Sequence, residues 1–138
     1  MVSSNKQIRL LIVDDEAGFA EVLRKRLERR GIWVETAYRG QDAVRILKEK
    51  HFDVALLDLK LGGMDGIEIL KIFKMLDPDL PVLMLTGHGS EKAAAESIKL
   101  GVADYLSKPI EFSLLLEKVH QAYNRKEVGH GKDKGSSG

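Results

Sequence analysis

Four apolar runs of the chain end on a residue able to do chemistry. Ile8–Val13 gives way to Asp14 and Asp15, and Val54–Leu57 to Asp58. Pro81–Leu85 leads into Thr86, and Val102–Ser107 into Lys108, which precedes Pro109. A charge at the edge of a core is costly unless something pairs with it. Brought to one place, these residues supply three carboxylates, a hydroxyl and an amine. Two carboxylates about 5 Å apart repel by roughly 3 kcal/mol at an effective dielectric of about 20, so one protonates or a cation enters. Hard oxygen ligands suit Mg²⁺. Zinc is disfavoured, because the chain has no cysteine and no paired-histidine spacing. A metal, a lysine and a hydroxyl facing one carboxylate are the parts for phosphoryl transfer to that carboxylate. Singly, each residue has an ordinary reading: Asp15 as a helix cap, Thr86 as a turn residue, Lys108-Pro109 as a loop, Asp58 as a solvated strand end. The signal is their joint placement.

That placement requires a particular set of elements. Ile8–Val13 reads as a strand, followed by a helix over Glu16–Arg30 with Phe19, Val22, Leu23 and Leu27 at helical spacing and Gly31 as its stop. Trp33–Tyr38 alternates like a strand, and Gln41–Lys50 reads as a helix with Val44 and Leu47 inward. Val54–Leu57 is the third strand. Asp65–Leu76 is a helix opened by Asp65, with Glu68 at capping-box spacing and Asp77-Pro78 as its end. Pro81–Thr86 is the fourth strand, Ser90 caps a helix to Leu100, and Val102–Ser107 is the fifth strand. Phe112, Leu115, Leu116, Val119 and Tyr123 line one face of a last helix. Strands 1, 3 and 4 are nearly continuous apolar runs, as parallel strands covered on both faces should be. Alternating strand–helix units predict an α/β fold with a parallel sheet and right-handed crossovers. In the order 2-1-3-4-5, all the candidate residues collect at the carboxyl end of the sheet, where open α/β sheets bind ligands.

Composition narrows the setting. At 138 residues the chain suits one domain with a real core. Its net charge of +1 provides no bulk basic field for nucleic acid, and no DNA-binding motif is present. No apolar stretch reaches the roughly 20 residues that span a bilayer, and "MVSSNKQIR" lacks the apolar centre of a signal peptide. These features predict a cytoplasmic protein without membrane contact. Residues 6–126 read as the folded domain. Residues 127–138, polar and glycine-rich, read as a disordered tail, with the final "GSSG" a cloning remnant or a cut linker.

The motifs "LIVDDE", "LLDLKLGGMDG", "LMLTGHGS" and "DYLSKP" together resemble the receiver domain of bacterial two-component response regulators, over about Ile8–Tyr123. The resemblance implies a flavodoxin-like (βα)₅ fold that takes phosphate from a sensor histidine kinase or phosphotransfer protein and presents its helix 4–strand 5–helix 5 face to a downstream effector. Homodimer formation through that face is left open. Asp58 is then the phosphoacceptor. Asp15, Asp58 and the Lys60 carbonyl bind Mg²⁺ directly, and Asp14 acts through a metal-bound water. Lys108 pairs with the phosphoryl group through a loop with a cis bond to Pro109. Thr86 turns to the phosphoryl oxygen, Tyr105 shifts inward with it, and Gly87 leaves room for the donor. Lys60 and His88 stand where the family tunes loss of the phosphate.

One residue departs from the family pattern: Gly62 stands where proline is usual, predicting a loss of roughly 0.4–1 kcal/mol if the native angles suit proline, and otherwise only a looser connection. The basic cluster Arg24, Lys25, Arg26, Arg29 and Arg30 is either a solvated helix face or a kinase-docking surface. Two other readings compete with a phosphorylation switch. A phosphatase of the haloacid dehalogenase type needs an acid two residues after its nucleophile, where this chain has Lys60. A phosphorylation-independent binding module would be expected to have lost one of the acids or the lysine, and none is missing. A flavin protein of this fold is disfavoured because Asp14 and Asp15 would repel the flavin phosphate.

Overall fold

The computed structural model describes residues 6–136, with side chains over 6–126. The first five residues and the last two of "GSSG" lie outside the described residues. Backbone hydrogen bonds join β1 (Arg9–Val13), β2 (Trp33–Ala37), β3 (Val54–Leu57), β6 (Val82–Thr86) and β7 (Asp104–Ser107) into a parallel sheet of order β2-β1-β3-β6-β7. This is the predicted 2-1-3-4-5 order, once a short hairpin of β4 (Lys60–Leu61) and β5 (Met64–Asp65) is counted. The intervening helices are α1 (Ala17–Glu28), α2 (Gly40–Glu49), α3 (Gly66–Leu76), α4 (Glu91–Lys99) and α5 (Phe112–Ser136).

The continuous apolar runs divide by parity. Leu11, Val13, Ala55, Leu57, Val82 and Met84 join one core with α2 and α3 residues such as Ile46, Ile69 and Phe73. Leu10, Ile12, Val54, Leu56, Leu83 and Leu85 join a second core with Leu23 and Leu27 of α1 and Leu115 and Val119 of α5. Successive strand side chains point to opposite faces, so a strand with helices on both sides must be apolar at every position.

The helix caps follow local chemistry. The Asp65 carboxylate accepts from Ile67 N at 3.0 Å, and Ser90 Oγ accepts from Ala93 N at 3.1 Å, as their sequence positions suggest. Helix α1 is different. Its N-cap residue is Glu16, with no side-chain cap bond, so Asp15 does not serve as the cap. Val44 is only partly buried, while Leu47 is buried. Helix α5 runs over Phe112–Ser136, into the stretch whose composition suggests a disordered tail. No described helix is long and apolar enough to cross a membrane.

The β4–β5 hairpin corrects the reading of Gly62-Gly63 as a loose connection. Lys60 pairs with Asp65 and Leu61 with Met64, leaving the two glycines as a two-residue turn. Gly62 has φ +61°, and Gly63 is not among the positive-φ residues. Positive φ at the first central position alone is the type II′ pattern, which favours glycine there. Proline fixes φ near −65°, so the native angles here do not suit it. Gly62→Pro should therefore destabilise the protein by more than about 1 kcal/mol instead of stabilising it, read as a lower urea midpoint at unchanged slope.

Candidate functional site

The sheet ladder runs one residue past the ends of three strands. Asp14 N donates to Ala37 O, Asp58 N to Val13 O, and Lys108 N to Thr86 O, at 2.9–3.0 Å. These bonds hold the backbones of Asp14, Asp58 and Lys108 at the carboxyl edge. Continuing the strand alternation, the three residues follow the parity of Ile12, Leu56 and Leu106, the α1/α5 side of the sheet. Thr86 follows Met84, the side of α2 and α3, and Tyr105 packs on that same core.

The centre of the site is one ammonium. Lys108 Nζ lies 2.7 Å from Asp14 Oδ2, 2.8 Å from Glu16 Oε1 and 3.2 Å from Asp58 Oδ2. Phe19 of α1 covers it, with its ring centroid 4.3 Å from the same nitrogen. Asp14 and Asp58 are each only 3% exposed, whereas Glu16 faces solvent. Asp14 Oδ1 also accepts from Glu16 N at 2.9 Å. Asp58 Oδ1 has only a long 3.5 Å contact with Lys60 N.

The electrostatics follow from this sharing. Burial pushes the Asp14 carboxyl above the usual range, and the Lys108 ammonium and the Glu16 N–H partly oppose the rise. Burial acts against the charge of Lys108, but its bonds to Asp14 and Glu16 and the attraction of Asp14 and Asp58 outweigh it. The ammonium is held above the ordinary lysine range. One cation among three acids leaves the site net negative.

Not every predicted residue joins this cluster. Among the described residues, the carboxylates whose oxygens lie within 4.8 Å of one another are those of Asp14, Glu16 and Asp58. Asp15 is exposed and lies beside the hairpin, its Oδ2 4.0 Å from where a Cβ on Gly62 would sit. Thr86 is buried, and its hydroxyl accepts from His88 N at 3.0 Å. Tyr105 has a buried hydroxyl with no hydrogen-bond partner among the described residues. Burial, then the charge of Asp58, pushes that hydroxyl above its ordinary pKa. The side chains of Lys60 and His88 line a cavity of about 490 Å³ between α3 and α4. The Lys108–Pro109 bond is cis.

Sequence reasoning missed Glu16, although the signal was present as the third acid of "DDE". The basic cluster of α1 is largely committed within the protein. Arg24 is clamped by Glu21 and Glu28 at 2.6 and 2.9 Å, and Arg26 and Arg30 stack on Phe112 at 4.2 and 5.4 Å.

A five-stranded (βα)₅ sheet with a lysine-bridged acid cluster at its carboxyl edge defines a small class of signalling modules. The model of the response regulator receiver domain matches residues 10–120, and the chain belongs to that family. The transcriptional regulatory protein ZraR of Salmonella typhimurium is 40% identical over 116 residues, covering 84% of this chain and 26% of that protein. The chain thus spans about a quarter of the length of this relative. Among solved structures, a CheY-like receiver domain protein from Methanospirillum hungatei superposes with a TM-score of 0.88 at 31% identity, covering 90% of this chain and 99% of that one. A Burkholderia pseudomallei response regulator, solved with a phosphorylated aspartic acid, calcium ion and citrate, gives 0.79 at 28% identity, covering 92% and 73%.

Removing the shared cation tests this electrostatic account. Taking one partner from a fully buried ion pair costs 3–5 kcal/mol. Lys108 is 13% exposed and Glu16 59%, so Lys108→Met should cost about 1–3 kcal/mol at pH 7. Losing the ammonium removes the hydrogen bond and charge that oppose the rise at Asp14, so the variant's carboxyl is raised further than that of wild type and its protonation relieves the unpaired cluster as pH falls. The gap between variant and wild type in urea denaturation should therefore be narrower at pH 5 than at pH 7.

Proposed function

We propose that this domain is a phosphorylation-controlled switch in which Asp58 accepts a phosphoryl group. The observation that carries the reading is the Lys108 ammonium held jointly by Asp14, Glu16 and Asp58 at the carboxyl edge of the sheet. The donor is a phosphohistidine of a sensor histidine kinase or phosphotransfer protein in the cytoplasm. An Asp58 carboxylate oxygen bonds to phosphorus as the donor's P–N bond breaks, and the imidazole leaves with the electron pair and takes up a proton. Lys108, already beside Asp58, follows the new charge and pairs with a phosphoryl oxygen.

The site fits a hard divalent cation. Its converging donors are all carboxylate oxygens, net negative after Lys108 is counted. Mg²⁺ would be held by Asp58 and the Lys60 carbonyl together with Asp15, which lies outside that cluster beside the hairpin, and by Asp14 through water, while Glu16 stands close enough to Asp14 and Asp58 to add charge. When bound, the metal supplies neutralisation of the phosphoryl oxygens.

The output follows from the other face of the sheet. Thr86 gives up His88 N to bond the phosphoryl group, Tyr105 settles with it, and the α4–β7–α5 face changes for an effector. Moving such a switch from 1:99 to 99:1 requires about 5.5 kcal/mol of preference for the active state. That is demanding for one group, so the bound effector contributes part of it. The longer relatives are transcriptional regulators, and an attached or separate effector of that kind fits this role. The domain itself turns over no external substrate beyond its own phosphorylation and dephosphorylation.

Intact mass after incubation with acetyl phosphate and Mg²⁺ checks the acceptor. Wild type should gain one phosphoryl group, and Asp58→Asn or chelated protein none. Beryllofluoride should shift the NMR signals of Thr86 and Tyr105. An unchanged mass together with unchanged spectra would favour a phosphorylation-independent binding module.

A further inference from the structure

The loop between β6 and α4 is pinned at two points. His88 N donates to Thr86 Oγ1 at 3.0 Å, and Ser90 Oγ accepts from Ala93 N at 3.1 Å as the cap of α4. Gly89 lies between these bonds. A Cβ on Gly89 would fall onto the Tyr105 hydroxyl oxygen, and would sit 3.0 Å from Cζ and 3.2 Å from Cε1 of the same ring. The φ of Gly89 is not positive, so its backbone accepts an L side chain. What position 89 cannot accept is a side chain together with the half-buried Tyr105 ring in its present place.

We propose that Gly89 positions the switch tyrosine, by leaving the space in which the Tyr105 hydroxyl lies inside. This rests on the phosphorylation reading above for its use, though not for its geometry. The pinned loop does not yield readily, and an aromatic ring cannot bend, so a side chain at 89 turns the ring outward. The inward ring in turn leaves its hydroxyl without a hydrogen-bond partner among the described residues, a cost that works against this position. Thr86 joins the device directly. The hydroxyl that would turn to the phosphoryl group is the one that holds His88 N, so its departure frees the loop over Tyr105. Gly89 is thus a positioning residue for Tyr105 and touches no reacting atom.

Nitration by tetranitromethane, read residue by residue from peptide masses, tests this. Tyr38, on the exposed surface, is the internal reference. The ratio of Tyr105 to Tyr38 nitration should rise at least fivefold in Gly89→Ala, and an unchanged ratio would overturn the proposal. A thermal-melting cycle guards against a variant that folds poorly. The loss of Tm caused by Gly89→Ala should largely disappear in a Tyr105→Leu background, which lacks the ring atoms that the new Cβ meets. An equal loss in both backgrounds means that the backbone, not Tyr105, needs glycine, and would also refute the proposal. The acetyl phosphate mass shift, run on the same samples, separates the two readings. Absence of the adduct in wild type counts against phosphorylation at Asp58, while the nitration ratio still judges Gly89.

Discussion

The Lys108 ammonium is the interaction on which the site depends. Its three acids come from the ends of β1 and β3 and from the residue before α1. Lys108 itself follows β7, which pairs with neither strand and lies two places from β3 in the sheet. Strands are spaced about 4.8 Å apart, so the contact spans roughly two strand widths. That distance needs a long, flexible side chain and a backbone that turns back over the edge. Phe19 covers the cation with an apolar face, which reduces its exchange with water. Without the ammonium, Asp14 and Asp58, both almost fully buried, would repel each other in a poorly solvated place.

Parity gives the sheet two roles. Asp14, Asp58 and Lys108 continue the rows that pack under α1 and α5. Thr86 and Tyr105 belong to the rows on the opposite side. The sheet therefore separates the side chains that would hold charge from those that would report it, with Thr86 linked to both. Its carbonyl holds Lys108 N, and its hydroxyl holds the loop that leads to α4. A short backbone segment is enough to connect the two sets, because each hydrogen bond leaves its atoms little freedom.

The fold was legible because its central strands β1, β3 and β6 are nearly continuous apolar runs and several of its helices carry clear stops or caps. Asp65 and Ser90 could be assigned from type and spacing alone, since a cap bond spans only a few residues. The ends of β1, β3, β6 and β7 were legible for the same reason, as each apolar run stops at a polar residue. Glu16 was not, because its role depends on Lys108, far away in sequence. The exposed side of Asp15 was hidden by the same kind of distance: which of three successive acids meets the lysine is decided by how the chain enters α1. Arg26 and Arg30 read as a free basic face, and only the packing of α5 shows that Phe112 takes them.

The turn at Gly62 also bears on how this chain could be engineered. Replacing a residue by its family's commonest counterpart is a productive route to stabler proteins, because such choices usually record good local fits. That logic assumes the backbone beneath the position is shared. Here the β4–β5 hairpin holds position 62 at φ +61°, so the commonest counterpart belongs to a different turn. A designer following the family average would remove one of the few residues that this loop requires. Position 62 can change to the family's residue only if its neighbours in the turn are rebuilt with it.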